Sequence, residues 1–86
     1  MASKGVKVIF NPSAQKEMES LETDDAIRFV KDVGSYLEIS PLPFGKTRIK
    51  KLTGFDPPLY RLRSGNLSAY YHIVVGKVII LAITRK

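Results

Sequence analysis

Arg61 and Arg63 stand two residues apart in the run Leu59-Tyr60-Arg61-Leu62-Arg63-Ser64-Gly65. Side chains on a strand point to opposite faces in turn, so Tyr60 and Leu62 take one face and both guanidinium groups take the other. A guanidinium stays charged at any relevant pH and holds a phosphate through paired hydrogen bonds. Cleavage of a phosphodiester builds negative charge on the phosphorane, and losing one stabilising donor there typically costs ~10²–10³ in rate. The next run, Asn66-Leu67-Ser68-Ala69-Tyr70-Tyr71-His72-Ile73-Val74-Val75, puts Ser68, Tyr70, His72 and Val74 on one face. Ala69, Tyr71, Ile73 and Val75 on the other face read as core. A phenol and an imidazole on one surface can move protons, provided they reach the reacting oxygen. A strand histidine between tyrosine-rich neighbours is also an ordinary packed or edge residue, so His72 carries a possible acid/base role and no more.

The elements that must hold these groups follow from pattern. Ser64-Gly65-Asn66 and Gly76-Lys77 are turn signals separating three β-rich runs, the last being Val78-Ile79-Ile80-Leu81-Ala82-Ile83-Thr84-Arg85, as in an antiparallel meander. Ser64-Gly65-Asn66 lacks the lysine and the following helix of a phosphate-binding loop. Upstream, Val6-Lys7-Val8-Ile9-Phe10 reads as a first strand. Asn11-Pro12 caps and opens a helix over residues 12–21, with Ala14, Met18 and Leu21 as its apolar stripe. Thr23 is expected to cap a second helix with Asp24 and Asp25 in its first turn. Its buried stripe is expected at Ile27, Val30, Val33 and Leu37, with Ala26 and Phe29 alongside, and it should stop near Ile39 before Ser40-Pro41-Leu42-Pro43. Residues 44–58 read as irregular, with Ile49 and Leu52 anchoring the segment while its cations face water. The expected fold is α+β: two N-terminal helices on a small, mostly antiparallel four-stranded sheet in the order β-α-α-β-β-β, one domain over residues 1–86. The first strand should return to pair with a later one.

Charge divides the 86 residues unevenly: residues 1–44 carry a net −2, and residues 45–86 a net +8 with Asp56 their one acid. That split points to a polyanionic partner for the second half, nucleic acid first and an acidic protein second. The acids Glu17, Glu19, Glu22, Asp24, Asp25 and Asp32 fall on the helices or their caps, in no spacing that suggests a metal site or an acid/base couple. With no cysteine and one histidine, neither a thiolate metal site nor a multi-histidine site can form within one chain, and no metal is expected. The longest apolar run, Val78 to Ile83, is too short to cross a bilayer, and the opening residues lack the apolar core of a signal peptide. A cytoplasmic protein that does not enter the membrane is expected.

With these motifs in place, the chain resembles the RelE/ParE superfamily of toxins from bacterial and archaeal type II toxin–antitoxin modules. The likeness rests on Ser40-Pro41-Leu42-Pro43-Phe44-Gly45, Ile49-Lys50-Lys51-Leu52-Thr53-Gly54, Leu59-Tyr60-Arg61-Leu62-Arg63-Ser64-Gly65 and the strands ending at Ile83. Tyr60-Arg61-Leu62-Arg63-Ser64-Gly65 followed by Tyr71 reproduces much of the family's run Y-R-L-R-x-G-x-Y-R-x-x-Y. The RelE branch implies a metal-independent ribonuclease without cofactor that enters the ribosomal A site and cuts mRNA. There the substrate's own 2′-hydroxyl attacks the adjacent phosphate, and a cognate antitoxin silences the toxin. The resemblance implies catalytic roles for Arg61, Arg63, Arg85 and Tyr70, the last also as the stacking aromatic. It implies salt-sensitive RNA-backbone contacts for Lys46, Arg48, Lys50, Lys51 and Lys86. Ser68 stands where the family commonly has an arginine, and the tyrosine the family carries past its last strand is missing. The ParE branch implies a different activity, inhibition of DNA gyrase, and a family member that only binds its antitoxin is the third possibility.

Overall fold

The computed structural model describes residues 7–37 and 48–85, so Lys46, Lys86 and the proline-rich stretch 40–45 lie outside the described residues. Five strands form one sheet: β1 (Lys7–Phe10), β2 (Ile49–Leu52), β3 (Leu59–Ser64), β4 (Leu67–Val74) and β5 (Lys77–Arg85). Their spatial order is β1-β5-β4-β3-β2. The last four are antiparallel neighbours, as the turn signals require, while β1 returns to pair in parallel with β5, Lys7 opposite Lys77 and Phe10 opposite Ile80. Gly65 and Gly76 make the two tight turns at φ 60° and 77°, a region that costs glycine little.

Two helices, α1 (Pro12–Glu19) and α2 (Thr23–Asp32), pack on one side of this sheet. Asn11 caps α1 as expected: its Oδ1 accepts the N–H of Ala14 at 2.8 Å. Ala14 is buried, and Met18 and Leu21 pack against the core, although α1 itself ends at Glu19. Beneath the helices Ile49, Tyr60, Leu62, Leu67, Ala69, Tyr71, Val78, Ile80 and Ile83 form the sheet's buried face. Tyr60 and Tyr71, directly opposite on β3 and β4, stack with ring centroids 5.7 Å apart. Burial, with Tyr60 alongside, pushes the Tyr71 phenol above its ordinary value because an ion there would lose its water.

The α+β class holds, with three differences in detail. Ile49–Leu52 is a strand, making five rather than four. Glu22 rather than Thr23 is the N-cap of α2, and it makes no side-chain capping bond. The buried stripe of α2 is also rotated: Phe29 and Val33 are buried, whereas Ile27 is 61% and Val30 50% exposed. Turning Phe29 inward sets it edge-to-face against Phe10 at 6.3 Å. The same turn carries Asp25 and Asp32, which share that stripe at helical spacing, to partners on the sheet. Asp32 accepts the Ser64 hydroxyl at 2.6 Å, and Asp25 lies 3.9 Å from Arg85. After Asp32 the chain continues in a π-helical turn, Val33–Leu37. Among the described residues no helix is long and apolar enough to cross a membrane.

Candidate functional site

The face of the sheet away from the helices carries the chemistry. Strand pairing arranges it in rows that cross the strands, because directly opposed residues project to the same side. One row runs Lys50, Arg61, Tyr70, Ala82 across β2, β3, β4 and β5. The next holds Arg63, Ser68 and Thr84. Arg48 extends this second row, since its carbonyl accepts the Arg63 N–H at 3.1 Å, one step beyond the Ile49–Leu62 pair. A β-bulge between Tyr70 and Tyr71, where β5 spends Leu81 without a partner, bends the sheet beside these rows.

Arg48, Ile49, Lys50, Arg61 and Arg63 line an open concavity of about 380 Å³. None of its described lining residues is an acid. Both ion pairs among the described residues, Arg28–Asp25 and Arg85–Asp25, lie on the helix side. Among the described residues no carboxylate stands between the four cations of the concavity, an arrangement that favours a bound anion. The Nε of Arg61 is buried and has no hydrogen-bond partner among the described residues.

The residues singled out from sequence divide in four ways. Arg61, Arg63, Arg48 and Lys50 come together in the concavity, and Tyr70 stands directly across from Arg61. His72 lies on the same face one row away, across from Ile79 and outside the cationic group. Lys51 and Arg85 project to the helix side, opposite Tyr60 and Leu67 respectively, and Arg85 pairs there with Asp25. Lys46 and Lys86 fall outside the described residues.

Sequence reading missed that Lys50 and Arg61 are cross-strand neighbours, because β2 shows no alternation of apolar residues. Its two central lysines are what a blunted edge strand carries. Thr84 was missed as well, since nothing but register puts its hydroxyl beside Ser68.

The fold is shared with solved structures. The archaeal RelE–RelB complex from Pyrococcus horikoshii OT3 aligns over 93% of this chain and 93% of that one, with a TM-score of 0.76 and 26% identity. The RelB–RelE antitoxin–toxin complex of Methanococcus jannaschii gives 0.68 at 22% identity over 90% and 88% of the two chains. The intact E. coli RelBE toxin–antitoxin complex gives 0.58 at 17% identity over 94% and 96%. No family model and no curated protein sequence matches. The chain has an α+β fold with an open, cation-lined sheet face. That fold is RelE-like.

Proposed function

We propose that this chain is the toxin of a type II toxin–antitoxin pair and acts as a metal-independent endoribonuclease on mRNA at the ribosome. The observation that carries the reading is the concavity in which Arg48, Lys50, Arg61 and Arg63 converge with no acid among the described lining residues. An RNA phosphate seated there is neutralised by Arg61 and Arg63 as its 2′-oxygen attacks phosphorus and the 5′-oxygen leaves. The products are a 2′,3′-cyclic phosphate and a 5′-hydroxyl. The 2′-hydroxyl gives up its proton to solvent, and Tyr70, across from Arg61, is the group placed to protonate the departing oxygen. Arg48 and Lys50 hold neighbouring phosphates without reading sequence. The antitoxin partner follows from the company the structural neighbours keep: each is a RelE in complex with RelB. An acidic or amphipathic antitoxin segment laid over the cationic face would block it.

Expression of the chain should arrest translation and leave primer-extension stops within translated messages. Arg61→Ala with Arg63→Ala should abolish both, a loss of about 10²-fold or more. Ser68, where the family commonly carries arginine, favours a second reading as a non-enzymatic inhibitor. Arrest with intact mRNA and damaged DNA would establish a gyrase target instead.

A further inference from the structure

Beyond the cations, the open face changes character within one row. Leu59 and His72 each stand one residue past the Tyr60–Tyr71 pair, so they are neighbours on the open side. Leu52 lies across from Leu59, Ile79 across from His72, and Ile9 across from Ile79. The resulting row, Leu52-Leu59-His72-Ile79-Ile9, crosses all five strands and holds one imidazole among four aliphatic side chains. Every member is half-buried. Neither described helix seals the row, because α1 packs on β5 and β1, and α2 on β3, from the other side. The row lies two residues along the strands from Lys50 and Arg61, about 6.8 Å, the step from a nucleotide's phosphate to its base.

We propose that this row is the seat of a nucleobase whose phosphate is held by Arg48, Lys50, Arg61 and Arg63, and that His72 stacks on the base rather than exchanging protons with the substrate. The inference rests on the RNA-cleft reading above and names the part of that site which meets the base. Charge complementarity selects the occupant, since an apolar strip bordered by four cations with no ion pair among the described residues fits a ligand with a flat apolar part joined to an anion. A single-stranded RNA meets that description and a double helix, with its bases turned inward, does not. An imidazole ring flanked by Leu59 and Ile79 offers a flat surface to any base, so contact here is tolerant of sequence.

The test uses two fluorescent 2′-O-methyl oligonucleotides of equal length, one bearing bases and one abasic. Neither can be cut through its own 2′-oxygen. The full chain should bind the base-bearing strand about 10-fold more tightly than the abasic one. His72→Ala should remove that preference while leaving abasic binding unchanged, and His72→Phe should restore it. The preference of His72→Phe should also hold from pH 5 to 8, where phenylalanine cannot titrate. Arg61→Ala with Arg63→Ala should weaken binding of both strands alike. A preference that survives His72→Ala, or one that His72→Phe fails to restore, overturns the base seat and leaves the phosphate cleft standing. Failure of the unaltered chain to bind either strand overturns the cleft and the seat together.

Discussion

The two faces of this sheet are made by the same strands and obey different rules. On the helix side, Leu62, Ala69, Tyr71, Val78 and Ile80 are fully buried, and polar groups there find partners within the protein. Ser64 donates to Asp32, the N–H of Ile83 donates to Glu17 at 2.9 Å, and Arg85 lies beside Asp25. On the open side no described strand residue is buried, and the cations face one another. The contrast explains the uneven charge of the chain. Acids of the N-terminal half are drawn to the helix–sheet interface, where a buried hydroxyl or backbone N–H needs an acceptor. Arg48, Lys50, Arg61 and Arg63 are left over, because no described residue of the opposite face brings a carboxylate to them. One face is therefore complete in itself, whereas the other lacks a counter-charge that a ligand can supply.

Truncating the two faces should separate stability from function. Leu62→Ala, on the closed face, should cost about 2–5 kcal/mol by removing buried methyl groups and leaving a cavity. Arg61→Ala with Arg63→Ala, on the open face, should leave the free energy of unfolding within about 0.5 kcal/mol of its original value. Thermal unfolding of both variants checks the pair; a large loss of stability from the arginine variant would break the comparison.

Asp32→Ala should come next. It strands the Ser64 hydroxyl, which is 1% exposed, without an acceptor, at a cost of about 1–3 kcal/mol. Denaturant titration measures it.

Alkaline pH offers a third probe of the closed face. The Tyr71 phenol is held neutral by burial, so its folded pKa is raised above the unfolded one. Its contribution is fully present below the unfolded value of about 10 and is lost as pH rises beyond it. Stability should thus decline above that pH, and Tyr71→Phe should flatten the decline in a pH series of unfolding curves.

The smallest effect should come from two adjacent lysines that the strand sends to opposite sides. Lys50→Ala should reduce the salt slope of single-stranded RNA binding by about 0.7, the share of one phosphate contact, and Lys51→Ala should not change it. Equal slopes for the two variants would show that the open face is not where RNA binds.

Much of the architecture could be read in advance because its signals are local. Asn11-Pro12 capped a helix where a helix begins, Gly65 and Gly76 turned the chain, and alternation separated Ala69 and Tyr71 from Ser68 and Tyr70. The failures were also local in origin. β2 has a lysine pair where an alternating strand would show apolar residues, and its pairing energy comes from β3, thirteen or fewer residues away in sequence but invisible in its own composition. Ile27 and Val30 have the spacing of a core stripe, yet Phe29 took the core. The larger ring buries more surface, and its rotation satisfies Asp25 and Asp32 at the same time.

Taken by itself, the amino-acid order determined that Arg61 and Arg63 share a face, since a period of two residues needs no partner strand to be true. It also determined the excess of cations in the second half. Only the tertiary structure decided which cations meet. Register set Lys50 and Arg48 beside the arginine pair, turned Lys51 and Arg85 to the far side, and moved His72 one row from the charge. A one-residue slip in pairing would exchange every one of those assignments, so they depend on how the buried faces of five strands fit together and not on any single segment.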